Sequence, residues 1–577
     1  MAALYNDAPS PTDLSRARFA WLLLALVMGA ACLRTAFPTA DPPWRAPVGI
    51  TWHDEGPWVH NARNRVLWGE WSTDRWNPVY LAPVFTALEY ASFESLGVGL
   101  WQARTVSIVM GTLAILCVAT GVAAFANRRA ALAAAALLAA NHSWVQWNRV
   151  ALLEPTMVAF IAISWSAYAM AGRRAWWGSI AGVAAVFAFF SKAAAAFYVI
   201  ALAVEIAVAL ALSIDGRQNG TGSDQRRQRA RAAALWTLGG LALAGGVFLV
   251  GFVLPYWPEF RFYNWQMSVT RKPAYGLTAF VSRASWVPVV NDFFTRMLPV
   301  TLLGLTASLG LMVRWRTAAP AERLLSLWIA LGVTELIMHD AGNERRLIIL
   351  IPPLIVLAAL ALVGGSPVLP PALARVPRRR ALLAAPILLY AAYMVCGALV
   401  RVAFVPQVRP SVWGGAAAAV AVTALIYVTW PRAAAWLSTY RFAPRTAAAI
   451  MTILVAADLV QYWQWAAHRT YKNVTASQLI GQWLPPGTLV HGKLANGLSL
   501  DNRIRPVFVG HLFGNYDDRT NRTDVHYILT YTSPRLGYEG PVILDVLAAH
   551  PGWKIVHEFD VAETPGGRDR AALIEKP

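Results

Sequence analysis

Asp54 and Glu55 stand side by side just after the first long apolar run, in the stretch ITWHDEGPWVHNARNRVLWGEW. They are the first of a set of ionisable residues that recurs down an otherwise apolar chain. Glu154 follows Arg149 in QWNRVALLEP, and Arg104 opens an apolar run in WQARTVSIVMG. Lys192 separates two apolar runs in FFSKAAAAFY, and Arg345 and Arg346 open another in GNERRLIILIPP. Acids and several cations at one depth could hold an anionic group next to a general base. The cations would bind phosphate oxygens and stabilise charge developing on a leaving group, and an acid would take the proton of an attacking hydroxyl. Each residue also has an ordinary explanation. Asp54 suits the N-cap of a helix running to about Leu67, where the helix dipole favours a carboxylate. The basic residues could snorkel to a membrane interface or form local ion pairs.

The elements that must position these residues are membrane helices. The 577-residue chain is 57% hydrophobic and only 14% charged, with a mean hydropathy of +0.44. Apolar runs near the ~20 residues that cross a bilayer recur throughout it. Helices satisfy their backbone groups within one segment, and the ~10-residue alternation of a β-barrel is missing from these runs. Thirteen spans are predicted, at 17–37, 104–126, 130–145, 153–171, 175–190, 193–213, 233–255, 293–313, 322–339, 346–364, 381–403, 412–430 and 445–466. The N-terminal stretch lacks a clear small-residue cleavage site, so the first span is read as retained.

The net charge of +19 belongs to topology rather than to nucleic acid. Arg16/Arg18, Arg128/Arg129, Arg173/Arg174, Arg226/Arg227, Arg314/Arg316, Arg378–Arg380 and Arg432/Arg441 fall in alternate loops. That is the positive-inside pattern, which puts the N-terminus in the cytoplasm and the long Trp-rich loop 38–103 outside. Glu154, Arg104, Lys192, Arg345 and Arg346 then collect with Asp54 and Glu55 at the outer interface. After residue 466 polar and short apolar runs alternate, in GTLVHG, DVHYILTY and WKIVHEFDV, with amphipathic stretches near 474–484 and 541–549. The division is a membrane domain, 1–466, followed by a small soluble α/β domain on the outer side, 467–577. Cys32, Cys117 and Cys396 lie in separate apolar runs and read as small core residues.

Charge of both signs at an outer interface points to lipid-phosphate chemistry, in which the lipid tail stays in the bilayer and the phosphate sits at its surface. Residues Asp54-Glu55, Ala62-Arg63-Asn64 and Gly69-Glu70-Trp71 resemble the first outer loop of the polyprenyl-phosphate-dependent glycosyltransferases of the GT-C superfold. The nearest groups are the protein O-mannosyltransferases and the lipid A aminoarabinose transferases. ARTVSIVMGTL, NRVALLEPTM, FFSKAAAAF and ERRLIILIPPLIVLAAL resemble, in order, the family's Ala-Arg, Arg-x-x-x-x-acid, Thr/Ser-Lys-Gly and Arg-Tyr-(x)-Pro stretches. The resemblance covers about residues 15–365, and beyond them only the architecture.

It implies a GT-C-like membrane enzyme that transfers a sugar from a polyprenyl-phosphate donor to an acceptor hydroxyl, with inversion, on the outer face of the membrane; the Ala/Arg-rich composition points to a bacterial inner membrane. It makes Asp54 the base, with Glu55 beside it and Glu154 as second acid. Arg104, Lys192 and Arg345 or Arg346 would face the donor phosphate, and Arg345 is favoured over Arg346 because it aligns with the family Arg. His53, Arg63 and Arg149 are candidates for acceptor or loop contacts. A divalent ion, Mg or Mn, on Asp54 and Glu154 is a candidate cofactor. The departures are Asn77-Pro78 for Lys-Pro or His-Pro, Ala193 for Gly, Arg346 for Tyr, and Glu154 for Asp. The runner-up function is a transporter or flippase using the in-span acids Glu205, Glu335 and Asp458. A third reading is a non-catalytic assembly protein.

Overall fold

The computed structural model describes residues 14–42, 54–214, 221–270, 277–280, 297–339, 344–364, 412–508, 518–533, 547–562 and 569–577, with residues 389, 392 and 393. Among them seven helical stretches are long and apolar enough to cross a membrane: Arg16–Thr35, Leu100–Phe125, Ala193–Ser213, Gln228–Val253, Arg345–Val363, Trp413–Thr439 and the run Pro444–Trp483. Other predicted spans are shorter helices, such as Trp177–Ser191 and Leu298–Val313. The span predicted at 381–403 lies almost wholly outside the described residues.

The helix order through the N-terminal half is α1 (Arg16–Thr35), α2 (Glu55–Trp68), α3 (Pro83–Leu96), α4 (Leu100–Phe125), α5 (Arg128–Ala140), α6 (His142–Trp147), α7 (Leu153–Ala171), α8 (Trp177–Ser191), α9 (Ala196–Ile214), α10 (Thr221–Phe248) and α11 (Trp257–Trp265). The centre is α7, buried along nearly its whole length and packed between α4 and α8. Its Trp165 Nε1 donates to the Ala321 carbonyl at 3.0 Å, and Trp328 Nε1 donates to Ile349 at 2.8 Å. Each buried indole is thereby satisfied in a medium that offers it no water. The periphery is apolar and uncovered: Trp21 is 72% exposed, Leu243 69% and Ile453 67%. On a chain with these spans, such faces are the lipid-facing ones, and the protein is an integral membrane protein.

The C-terminal part carries a five-stranded sheet, β1 (Leu489–His491), β2 (Arg505–Val507), β3 (Tyr527–Ser533), β4 (Lys554–Val561) and β5 (Asp569–Glu575), in the order β2-β1-β3-β5-β4. β1 runs parallel to β2 and β3, and β5 is antiparallel to β3 and β4. Helix Lys472–Trp483 covers the sheet through Ala476 and Ile480, which share its apolar cluster with Leu529, Val561 and Leu573. Asp41, at the start of the loop that follows α1, ties this part to the bundle. Its carboxylate accepts from Thr470 Oγ1 at 2.6 Å and from the Lys472 and Asn473 amides at 2.8 and 3.2 Å.

Candidate active site

Asp54 occupies the N-cap of α2, but its side chain makes no capping hydrogen bond. Its Oδ2 accepts instead from Arg345 Nη1 at 2.7 Å. The ordinary explanation, a carboxylate spent on the helix's free amides, therefore does not account for it. The helix behind it is sharply bounded. Glu55 and Pro57 lie in its first turn, and Gly69 ends it at φ 77°, a left-handed conformation that glycine adopts without a Cβ clash.

Arg345 joins both acids, since its Nε lies 3.1 Å from Glu154 Oε1. Glu154 stands in the first turn of α7, nearly inaccessible, and also receives Lys192 Nζ. Lys192 is the extended residue at the break between α8 and the short turn Ala193–Ala195, and that break turns its side chain inward. Glu154 Oε2 is buried without a hydrogen-bond partner. A cavity beside this cluster is lined by Glu154, Met157, Lys192, Ala194, Glu335, Leu336, Arg346 and Ile349. Asp54, Glu154, Lys192, Arg345 and Arg346, predicted from four separate stretches, thus meet at one place. Arg345 cross-links the acids, and Arg346 lines the cavity with Lys192.

Glu335 joins them although sequence reasoning set it among scattered in-span acids. The available signal was its place one turn before His339, near the end of its predicted span and ten residues before Arg345. The other two in-span acids are engaged elsewhere. Glu205 accepts from Arg323 Nη2 and Nε at 2.6 and 2.8 Å, and Asp458 accepts from the His142 amide at 2.9 Å.

The remaining predicted residues brace the site. Glu55 is fully paired with Arg104, whose Nε and Nη2 reach its two oxygens at 2.8 Å each. The same carboxylate accepts from the Ala151 amide at 2.8 Å. Arg104 Nη1 donates to the Pro38 and Ala40 carbonyls at 2.8 and 2.7 Å, so this guanidinium faces Glu55 and the loop backbone rather than the cavity. Arg149 caps the end of α1, donating to Leu33, Arg34 and Phe37 carbonyls, and lies over the Trp465 ring. Arg63 points away from the cavity into the C-terminal part, donating to the carbonyls of Ser499, Asn502 and Ile504. Asn77 is buried, with its amide bridging Asn61, the Asp74 carbonyl and Tyr263 Oη at 2.9–3.0 Å. It knits α2 to the aromatic segment on α11. His53 lies outside the described residues.

Burial and the neighbouring Glu55 charge hold the carboxyl of Glu89, on α3, well above the usual range. Neither of its oxygens has a hydrogen-bond partner. Burial raises the Asp41 and Asp501 carboxyls as well, against the hydrogen bonds they accept. Burial, with the Arg503 charge, lowers the Arg63 guanidinium to about 9.

The described residues thus set a bundle of apolar helices around a cavity with Lys192, Arg346, Glu154 and Glu335 on its wall, and the Asp54–Arg345 pair joins it through Glu154. Residues 81–217 match the sequence model of the dolichyl-phosphate-mannose-protein mannosyltransferase family. The fold is similar to that of ArnT from Cupriavidus metallidurans bound to undecaprenyl phosphate, at 16% identity, with 97% of this chain and 98% of that chain covered and a TM-score of 0.54. It is similar also to the apo state of ArnT from Cupriavidus metallidurans, at 18% identity, with 96% and 98% covered and a TM-score of 0.51. A comparison with curated proteins finds no match. The family model matches residues 81–217 of the 577, and the likeness to the two ArnT structures is one of fold.

Proposed function

We propose that the protein transfers a sugar from a polyprenyl-phosphate donor to an acceptor hydroxyl on the outer face of a bacterial inner membrane, by a single displacement with inversion. The observation that carries this reading is Arg345 held between Asp54 and Glu154, with Lys192 and Arg346 at the same cavity. A donor phosphate entering there competes for Arg345, Arg346 and Lys192. Once Arg345 turns to the phosphate, Asp54 is released to act as a base. The acceptor oxygen attacks the anomeric carbon, and Asp54 takes its proton. The bond from that carbon to the phosphate oxygen breaks, and its electron pair stays on the lipid phosphate, where the cations stabilise the added charge. Glu154 Oε2, buried without a protein partner, is an acceptor suited to a sugar hydroxyl. Arg104 and Glu55 serve as braces in this mechanism.

The orientation belongs to the same reading. The cytoplasmic N-terminus and the outer part 467–577 follow from the basic loops. Mg or Mn on Asp54 and Glu154 fits the site poorly, because three cations, Arg345, Arg346 and Lys192, already gather around these two acids and would repel it. Among the described residues no three His, Cys, Asp or Glu side chains gather as metal ligands. No step is routed through a metal.

The test is incubation of purified protein in nanodiscs with a panel of polyprenyl-phosphate sugars and candidate protein, lipid and glycan acceptors. Release of free polyprenyl phosphate and an inverted anomer in the product are expected. Movement of intact donor across the bilayer without release would replace the enzyme by a flippase.

A further inference from the structure

We propose that Gly56 and Arg63 are positioning residues for Asp54, and that segment 493–508 of the C-terminal part is the template against which the Asp54 helix is set. This rests on the reading of Asp54 as the base. A Cβ on Gly56 would lie 1.8 Å from the Asn496 carbonyl oxygen and 2.4 Å from its carbon. The obstacle is backbone, so it cannot swing aside as the end of a long side chain would. α2 therefore meets the short helix Lys493–Gly497 main chain to main chain, two residues from Asp54.

Seven residues on, about two turns and ~10 Å along the axis, Arg63 emerges from the same face of α2. It donates to the carbonyls of Ser499 at 3.1 Å, Asn502 at 3.2 Å and Ile504 at 2.9 Å. These three carbonyls lie in the connection between that helix and β2, and the arginine is fully buried among them. Two fixed points two turns apart set the tilt of α2 as well as its depth.

Three further contacts hold the same segment, 493–508. Asp501 Oδ1 accepts from the Leu100 amide at 3.4 Å, Asp74 Oδ2 accepts from the Phe508 amide at 2.9 Å, and Trp76 stacks on Phe508 at 4.9 Å. On the other side Glu55 is gripped by Arg104 and the Ala151 amide. The helix is clamped between membrane bundle and C-terminal part, and Asp54 projects from the clamped end toward Arg345. A shift of α2 by a few tenths of an ångström or more moves the carboxylate relative to the cavity, while Lys192, Arg346 and Glu154 stay on their own helices. Loss of the clamp therefore impairs the chemical step more than donor capture.

The experiment compares full-length parent, Gly56→Ala, Arg63→Lys and Arg63→Gln in nanodiscs. It measures kcat, donor KM, binding of free polyprenyl phosphate, melting temperature and hydrogen exchange of residues 54–68. Gly56→Ala and Arg63→Gln are expected to lose up to ~10²-fold in kcat, with donor KM and polyprenyl phosphate binding within about twofold of the parent. Arg63→Lys, which can still donate to one or two of the carbonyls, should recover part of the loss. Exchange in α2 should quicken in Arg63→Gln, while that of α7 stays as in the parent. Parental kcat in folded Gly56→Ala or Arg63→Gln overturns the proposal. So does a loss of kcat that only follows the loss of folded protein. If Gly56→Ala does not fold, the Arg63 pair decides. If the parent transfers no sugar from any donor, the proposed function falls; the exchange of α2 still tests the clamp, and unchanged exchange in Arg63→Gln removes it.

Discussion

Arg345 and Arg346 are neighbours in sequence with different surroundings, because successive helical residues point about 100° apart. Arg345 bridges Asp54 and Glu154, and Arg346 lines the cavity. Replacing either with Gln should weaken donor binding about 10- to 100-fold, the range of one charge-assisted hydrogen bond, measured as binding of polyprenyl phosphate in nanodiscs. Binding at the parental level in both variants would mean that the phosphate sits elsewhere. Glu89 offers a separate test of stability. Its carboxyl is pushed up by burial and by Glu55, so its folded value exceeds its unfolded one. The linked stability is present below the unfolded value and is lost as pH rises through the folded one. Glu89→Gln should flatten that fall, raising the melting temperature relative to the parent on the alkaline side and changing it little in acid. An equal shift at all pH values would assign the effect to packing. The residue types and their common depth were legible from the sequence, but their partners were not. Arg104 pairs with a residue 49 positions away and Arg63 with carbonyls more than 430 away. Nothing local distinguishes such an arginine from one facing a phosphate.

At the scale of elements, hydrophobic runs were readable because periodicity and length carry them. The break at Lys192 between α8 and α9 follows from such local signals, whereas the span read as continuous over 346–364 is divided into Glu344–Leu347, Ile348–Leu350 and Ile351–Val363. The docking of α2 was not readable, since Gly56 meets backbone that lies 440 residues further along the chain. The elements also separate two kinds of arginine. Arg104 lies buried on α4 and holds Glu55, so Arg104→Gln or Glu55→Gln should cost about 3–5 kcal/mol by leaving its partner buried and unpaired. Thermal denaturation in detergent checks this. Lys192→Gln should instead lower donor affinity with a smaller effect on melting. A melting temperature unchanged in Arg104→Gln would return Arg104 to the donor site.

The whole molecule combines a lipid-facing bundle with a C-terminal part gripped through Asp41, Arg63 and Asp74. On the proposed orientation, a periplasmic reporter fused after residue 470 should be active and one fused within 214–232 silent. The reverse pattern would invert the orientation. Because Arg345, Arg346 and Lys192 already gather around the two acids, dialysis against a chelator should leave turnover unchanged. Loss of activity restored by Mg or Mn would bring a metal into the mechanism. The apolar runs of β1, β3 and β4 could be seen in the sequence, but β2, β5 and the clamp could not, because the clamp joins residues hundreds of positions apart, much of it through main-chain atoms that composition does not encode.

The central claim is that Asp54 is a base at the donor site rather than a cap on α2. Asp54→Asn keeps the size and much of the capping ability of the side chain while removing the base. Turnover of a polyprenyl-phosphate sugar by this variant, alongside its binding of polyprenyl phosphate and its melting temperature, is the most direct measurement. Turnover should fall at least ~10²-fold with binding and melting close to the parent. Near-parental turnover by folded Asp54→Asn would contradict the account.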